Sequence, residues 1–332
     1  MTNPRTRKDF ISDQQVKWCP GCGDYAILAQ SQTVFAELDV PRENFVVVSG
    51  IGCSSRFPYY VNTYGFHTIH GRAPTIASGV KLARPELSVW VVTGDGDALS
   101  IGGNHTAHLI RRNLDVNVLL FNNRIYGLTK GQASPTSEVG KKTKSTPFGT
   151  VERPFNPMAF ALGCEATFVA RTVDVFSQQL RDVLRAGHAH AGTSFVEVYQ
   201  TCEIFNDGAF GALTDRGTRD DHVLMLQHGA PMTFAGGKKG IRLVGHKPVV
   251  VDLGERWSAS DCLVHDETDV VLAGILARME APGFPIPMGI LHREAHPTYD
   301  ALAHEQIARV EAKAGHPSVD SLLEGRDTWD VA

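Results

Sequence analysis

Cysteine is scarce in this chain, six in 332 residues. That is too few for the disulfide framework of a small secreted domain. An excess of one charge sign is also missing. Thirty-two basic against 36 acidic side chains leave a formal net charge of −4, with no basic stripe to meet nucleic acid and no acidic tail. No apolar run approaches the roughly 18 residues needed to span a bilayer. Met1–Asp13 is polar, carries both charge signs and has no run of signal-peptide type. These absences lead us to expect a soluble cytoplasmic protein that meets neither nucleic acid nor membrane. No internal repeat or low-complexity tract appears. The length is enough for one large domain or two small ones with a sizeable core.

What is present centres on Val91–Leu128. Two apolar, β-type runs, Ser88–Val92 and Val116–Phe121, flank an amphipathic segment. That order predicts a βαβ unit with neighbouring parallel strands. One run leads into Gly94-Asp95-Gly96 and the other into Asn122-Asn123. Ligands of open α/β sheets sit beyond the carboxyl ends of the strands, so a carboxylate and an amide are delivered to one edge. A hard divalent cation shared with a diphosphate takes such oxygen donors. Asp95, Asn123 and the main-chain carbonyl of Ile125 are therefore candidate ligands. Glycines beside Asp95 let backbone N–H groups approach an anion.

The same pattern of strand and glycine-punctuated turn recurs. Phe45–Ser49 opens into Gly50-Ile51-Gly52-Cys53-Ser54-Ser55-Arg56. Asp24–Leu38 reads as a helix with Asp24 as its N-cap, fed by Cys19-Pro20-Gly21-Cys22. Helices are expected at Thr75–Leu82, Met158–Leu162, Val175–Ala186 and Thr268–Met279. Strands are expected at Ala166–Ala170, Ser194–Tyr199 and Val249–Val251, with a turn at Gly236–Gly240. Thr129–Pro157 is rich in Lys, Gly, Ser, Thr and Pro and has no period. A long loop of this kind is functional or disordered: a strap across the site, or an unstructured segment.

Four cysteines, Cys19, Cys22, Cys53 and Cys202, lie at turns or strand ends, whereas Cys164 and Cys262 read as ordinary packed thiols. C-x-x-C alone fits a redox dithiol, half a zinc site or half an iron–sulfur site. The pairs His105/His108 and His188/His190 lack a carboxylate or cysteine partner at helical spacing and read as structural. Trp18 either shields the first cysteine from water or simply packs in the core.

Gly94–Asp97 (G-D-G-D) and the later Asn122-Asn123 resemble the thiamine diphosphate signature. Together with Cys19–Gly23 (C-P-G-C-G), Gly50–Arg56 (G-I-G-C-S-S-R) and His70–Ala73 (H-G-R-A), the chain resembles β subunits of 2-oxoacid:ferredoxin oxidoreductases from about Trp18 to Asp207. The resemblance implies an α/β, doubly wound, mostly parallel sheet of the thiamine-diphosphate-binding type with a C-terminal extension. It divides the chain into an arm (1–17), a cofactor domain (18–207) and an extension (208–332) packed on the core and a partner. It implies thiamine diphosphate held through Mg²⁺ on Asp95, Asn123 and Ile125. Coenzyme contacts are expected from Ile51, Gly52, Cys53, Ser54, His70, Gly96, Asp97, Gly127 and Leu128. A [4Fe–4S] cluster is implied on Cys19, Cys22, Cys53 and Cys202. The implied reaction is oxidative decarboxylation of a 2-oxoacid with coenzyme A, its electrons passing to ferredoxin. An obligate α subunit, in αβ or α2β2 form, would bring the activating glutamate, for which this chain offers no catalytic candidate. Arg56 could pair with a second substrate carboxylate, favouring 2-oxoglutarate over pyruvate, or could face the α subunit. A pyruvate or broad-specificity 2-oxoacid:ferredoxin oxidoreductase β subunit, a non-redox thiamine decarboxylase or synthase half, and a zinc-binding structural protein are the alternatives.

Overall fold

In the computed structural model, residues 5–325 together with 327, 329 and 331 are described. Eleven strands lie among them: β1 Phe45–Ser49, β2 Tyr64–His67, β3 Ser88–Gly94, β4 Asn117–Asn122, β5 Phe168–Val173, β6 Ser194–Tyr199, β7 Val223–Met225, β8 Thr233–Phe234, β9 Lys239–Val244, β10 Lys247–Asp252 and β11 Ile286–Arg293. Eight of these form one sheet in the order β2-β1-β3-β4-β6-β5-β11-β7. Its pairs are parallel except β5 with β11.

The apolar runs look continuous because the central strands are covered on both faces. Along β1, Val46 and Val48 join one core cluster while Phe45 and Val47 join the other. The two-residue period of a strand makes that division. In β3 and β4 it repeats, with Val89, Val91, Val118 and Leu120 on one face and Trp90, Val92, Leu119 and Phe121 on the other. Helix Asp24–Glu37 packs beside helix Ser177–Ala189 on one face, and helix Ala73–Ala83 beside helix Gly103–Arg112 on the other. Among the described residues no helix is long and apolar enough to cross a membrane.

Two expectations shift. Asp24 is not an N-cap: Gly23 holds that place and Asp24 is the first helical residue, its side chain buried. The helix expected over Thr268–Met279 narrows to Val270–Leu276, where Asp269 caps it by accepting from Val271 N and Leu272 N. The segment after 207 also does more than pack on a finished core. It supplies β7 and β11, and β11 runs antiparallel beside β5. Beyond β7 a small antiparallel sheet, β10-β9-β8, stands apart from the main one.

Candidate functional site

The chain leaves β1 outward to β2 at the sheet edge, then returns to β3 on the other side of β1. The order reverses there, and such a switch point opens a crevice at the carboxyl ends of the strands. A cavity of ≈ 110 Å³ lies at that rim. Ile51, Gly52, Cys53 and Ser54 line it from the end of β1, and Asp95, Gly96 and Asp97 from β3. Asn123, Ile125, Gly127 and Leu128 come from β4, with His70 from the loop after β2. Every residue predicted to touch the coenzyme or its metal is thus gathered around one hollow.

Asp95 is buried and accepts two hydroxyls on one oxygen, Ser134 Oγ at 2.5 Å and Thr136 Oγ1 at 2.6 Å. Both come from the segment 129–157, so the strap is ordered across this end of the site. Backbone N–H groups of Gly96 and of Asp95 itself also face the carboxylate. Burial pushes the Asp95 carboxyl up to about 6, against the pull of the two hydroxyls. An ionised group so placed is relieved by a cation. Asn123 Oδ1 accepts from Ile125 N at 3.1 Å, closing the turn that carries the Ile125 carbonyl. These oxygen donors fit a hard divalent ion.

Asp97, besides lining this hollow, holds its walls together. Its Oδ1 accepts from His70 Nδ1 (2.6 Å), Gly71 N (2.7 Å) and Ile51 N (3.2 Å), and its Oδ2 from Thr93 Oγ1 (2.7 Å). The carboxylate is spent on protein donors. It ties the β1 loop and the His70 loop to the end of β3 and orients the His70 ring. A short π-helical turn, Asp97–Ile101, begins at this residue before helix Gly103–Arg112. Such turns collect at functional sites.

The four cysteines line a second cavity, of ≈ 240 Å³, with Trp18, Arg56 and Phe205. Cys53, Asn123, Gly127, Leu128 and Gln200 line both cavities, so the two hollows share a wall. A Cβ placed on Gly127 would stand 3.6 Å from Cys53 Sγ and 3.8 Å from Cys202 Sγ. Trp18 donates its indole N–H to Cys53 O at 2.7 Å, and the ring both packs in the core and lines this cavity. Burial, then the nearby Asp24, raises the thiols of Cys22 and Cys53, the latter to about 12, and burial also raises Cys202. Ionised thiolates in this setting need positive charge beside them. Among the described residues no three His, Cys, Asp or Glu side chains close on a single ion. The four thiols therefore share a cavity without closing on one point.

Sequence reasoning missed Gln200. Its Oε1 accepts from Asn123 Nδ2 at 2.8 Å, and its Nε2 lies 3.4 Å from Cys22 Sγ. One side chain therefore joins the metal-donor end to the thiols. Its place two residues before Cys202, at the end of β6, was the available signal. Ser134 and Thr136 were missed as individuals inside a strap that was itself expected. Arg56 does not line the coenzyme cavity. It lines the cysteine cavity, with Nη1 donating to Lys17 O at 3.3 Å. A short turn at Ser54–Arg56 carries it that way, beside the thiols rather than into the hollow around Asp95. Of the two histidine pairs, His190 Nε2 meets Thr167 Oγ1 at 2.7 Å and His105 meets Arg72. Both are structural contacts.

Residues 50–198 match the family described as thiamine pyrophosphate enzyme, C-terminal TPP binding domain. That defines the class: an α/β fold of the thiamine-enzyme type. The chain is 52% identical to the 2-oxoglutarate oxidoreductase subunit KorB of Mycobacterium tuberculosis, over 99% of this chain and 89% of that one. It is 51% identical to the 2-oxoacid:ferredoxin oxidoreductase 1 subunit beta of Aeropyrum pernix, over 57% of this chain and 60% of that one. A solved 2-oxoglutarate:ferredoxin oxidoreductase from Magnetococcus marinus, with 2-oxoglutarate, coenzyme A and succinyl-CoA bound, superposes with a TM-score of 0.79. That match has 33% identity and covers 98% of this chain and 97% of that one. The chain belongs to the β-subunit family of the 2-oxoacid:ferredoxin oxidoreductases.

Proposed function

We propose that this chain is the β subunit of a 2-oxoglutarate:ferredoxin oxidoreductase. Its reaction is oxidative decarboxylation of 2-oxoglutarate with coenzyme A, giving succinyl-CoA and carbon dioxide, with two electrons passed to ferredoxin. The observation that carries this reading is the shared wall: the oxygen donors Asp95 and Asn123 and the four cysteines line adjoining cavities. A non-redox thiamine enzyme has no use for that adjacency. The choice of 2-oxoglutarate follows the names of the Mycobacterium and Magnetococcus relatives.

Asp95, Asn123 and the Ile125 carbonyl would hold Mg²⁺ against the diphosphate, while the glycine-flanked backbone at Gly52, Gly96 and Gly127 lets it approach. Thiamine diphosphate, when bound, supplies the electron sink for decarboxylation. Cys19, Cys22, Cys53 and Cys202 would hold a [4Fe–4S] cluster, and Gln200 spans the gap between the two sites. Because the activating glutamate is expected from an α subunit, this chain is half of an active centre.

The test is anaerobic co-expression with the α subunit, a 2-oxoacid panel and a low-potential dye. Dye reduction with 2-oxoglutarate far above that with pyruvate is expected, with iron and acid-labile sulfide near four each per chain. Fast reduction with pyruvate alone would overturn the substrate, and zinc without sulfide would overturn the cluster. Cys202→Ser is expected to lose iron and dye reduction together.

The hydroxyls on Asp95 make a finer prediction. Thr136→Val keeps the side chain's shape and removes one donor. Groups that orient a metal ligand in this way are commonly worth about 10–100-fold in metal affinity. Titration of coenzyme binding against Mg²⁺ should show a loss in that range, largely restored by Thr136→Ser. Equal Mg²⁺ dependence in Thr136→Val and the wild type would show that the strap only covers the site.

A further inference from the structure

We propose that a third cavity, behind Asn122 and Thr136, binds a small zwitterion of the amino-acid class, and that its occupancy loosens the metal at Asp95. The second half rests on reading Asp95 as a metal ligand; the binding itself does not.

The cavity measures ≈ 270 Å³, enough for a small molecule and little more. Asn122 and Thr136 line it and line neither of the other two cavities. Deep in its wall stands Arg171, 3% exposed. Its Nε donates to Glu197 Oε2 at 2.6 Å, but among the described residues Nη1 and Nη2 donate to nothing. Buried N–H groups in that state are costly unless a ligand or water meets them. Glu280, an exposed residue of the same lining, carries the opposite charge. Among the described residues no ion pair joins it to Arg171, so opposite charges stand apart across the space.

The charges choose the ligand. Arg171 already has Glu197 beside it, and Arg124 has Glu138 at 3.1 Å. A simple anion therefore meets no surplus of positive charge. A zwitterion can lay its carboxylate on the free arm of Arg171 and its ammonium against Glu280, and it brings no net charge to bury.

A short chain of buried hydrogen bonds leads from there to Asp95. Glu197 Oε1 accepts from Asn122 Nδ2 at 2.7 Å. Thr136 Oγ1 has one proton and two acceptors, Asn122 Oδ1 at 2.9 Å and Asp95 Oδ2 at 2.6 Å. A carboxylate on Arg171 takes part of the guanidinium's charge off Glu197, which then draws harder on the Asn122 amide. That polarises Asn122 Oδ1 and makes it the better acceptor. The Thr136 proton turns toward it, and Asp95 loses a donor that orients it.

Calorimetry on the αβ complex, freed of Mg²⁺ and coenzyme, tests the site. L-alanine and L-glutamate are the probes, with acetate and ethylammonium as single-charge controls. At least one amino acid should bind about tenfold or more tighter than either control. Glu280→Gln removes the charge at the mouth, and Ala212→Trp fills the space from an exposed lining position. Each should weaken that binding by about tenfold or more. No binding in the wild type, acetate binding as tightly as the amino acids, or binding unchanged in both variants would overturn the site. The bound amino acid should also weaken Mg²⁺ in coenzyme titrations by about fivefold, and Mg²⁺ should weaken the amino acid by the same factor. In Thr136→Val the amino acid should still bind while this coupling disappears. Unchanged Mg²⁺ affinity in the liganded wild type would overturn the chain to Asp95. Coenzyme binding that needs no Mg²⁺ at all would instead overturn the reading of Asp95, and the metal-free calorimetry would still report on the cavity.

Discussion

Asp95→Asn should strip the metal-bound coenzyme from the protein without loosening the apo fold. Asp95 is 3% exposed, and burial is the main reason its carboxyl is pushed up to about 6. A carboxylate whose folded pKa lies above its ordinary value destabilises the fold when ionised. The shift here is on the order of 3 kcal/mol at neutral pH. The sign follows from linkage: the penalty is present above the folded pKa and vanishes as pH falls below the ordinary carboxylate range. Asn at this position still accepts from Ser134 and Thr136, which both donate to one oxygen, but carries no charge. Apo Asp95→Asn is therefore expected to melt at or above the wild-type temperature at pH 7. The wild type should gain on it as pH falls through about 6. Coenzyme affinity in the presence of Mg²⁺ should drop by at least about 100-fold, beyond the loss expected for a group that only orients a ligand. Calorimetry of the apo proteins and coenzyme titration check the two halves separately. Unchanged coenzyme binding would remove Asp95 as a metal ligand. A large fall in apo stability would show that the residue is held for the fold instead.

That opposition of stability and function bears on what the sequence could reveal. The rim residues stood out because parallel strands buried on both faces read as unbroken apolar runs, and glycine, Asp and Asn interrupt them at the carboxyl ends. Val116–Phe121 and Ser194–Tyr199 were visible on that ground, and the segments after them carry Asn123 and Cys202. β11 was not visible. It contains Pro287 and Gly289, which lower local strand preference, and its place depends on pairing with β5, more than a hundred residues earlier. The connections inside the site were hidden for the same reason. Ser134 and Thr136 reach Asp95 across 39 and 41 residues, and Gln200 reaches Cys22 across 178. No local period encodes such contacts. Asp24 was misjudged because cap chemistry is a local rule, while the burial of this side chain is a tertiary outcome. Its two oxygens have no hydrogen-bond partner among the described residues, and burial raises its carboxyl to about 7.

Asp97→Ala should do the opposite of Asp95→Asn and damage the fold first. Two loops and a strand end converge on this carboxylate. Removing it leaves Gly71 N and Thr93 Oγ1 without their acceptor, and Ile51 N with it, while freeing the His70 ring. A buried donor left without a partner costs about 1–3 kcal/mol. Ile51 is only half-buried and can find water, so the expected loss is roughly 3–5 kcal/mol, a large part of a domain's net stability. Asp97→Asn separates the two roles. Its oxygen can still take Gly71 N and Ile51 N, and its amide can face the Thr93 hydroxyl, so about 1–2 kcal/mol is expected to go. Gly50 guards the same contact from the other side, since a Cβ there would lie 1.7 Å from Asp97 Oδ2. Gly50→Ala should therefore reproduce part of the Asp97→Ala defect although it removes no hydrogen-bonding group. Denaturant midpoints should rank the three below wild type, with Asp97→Ala lowest and Asp97→Asn nearest to it in sequence but not in stability. A wild-type midpoint for Asp97→Ala would mean that the loops around the coenzyme cavity are held by their strands alone.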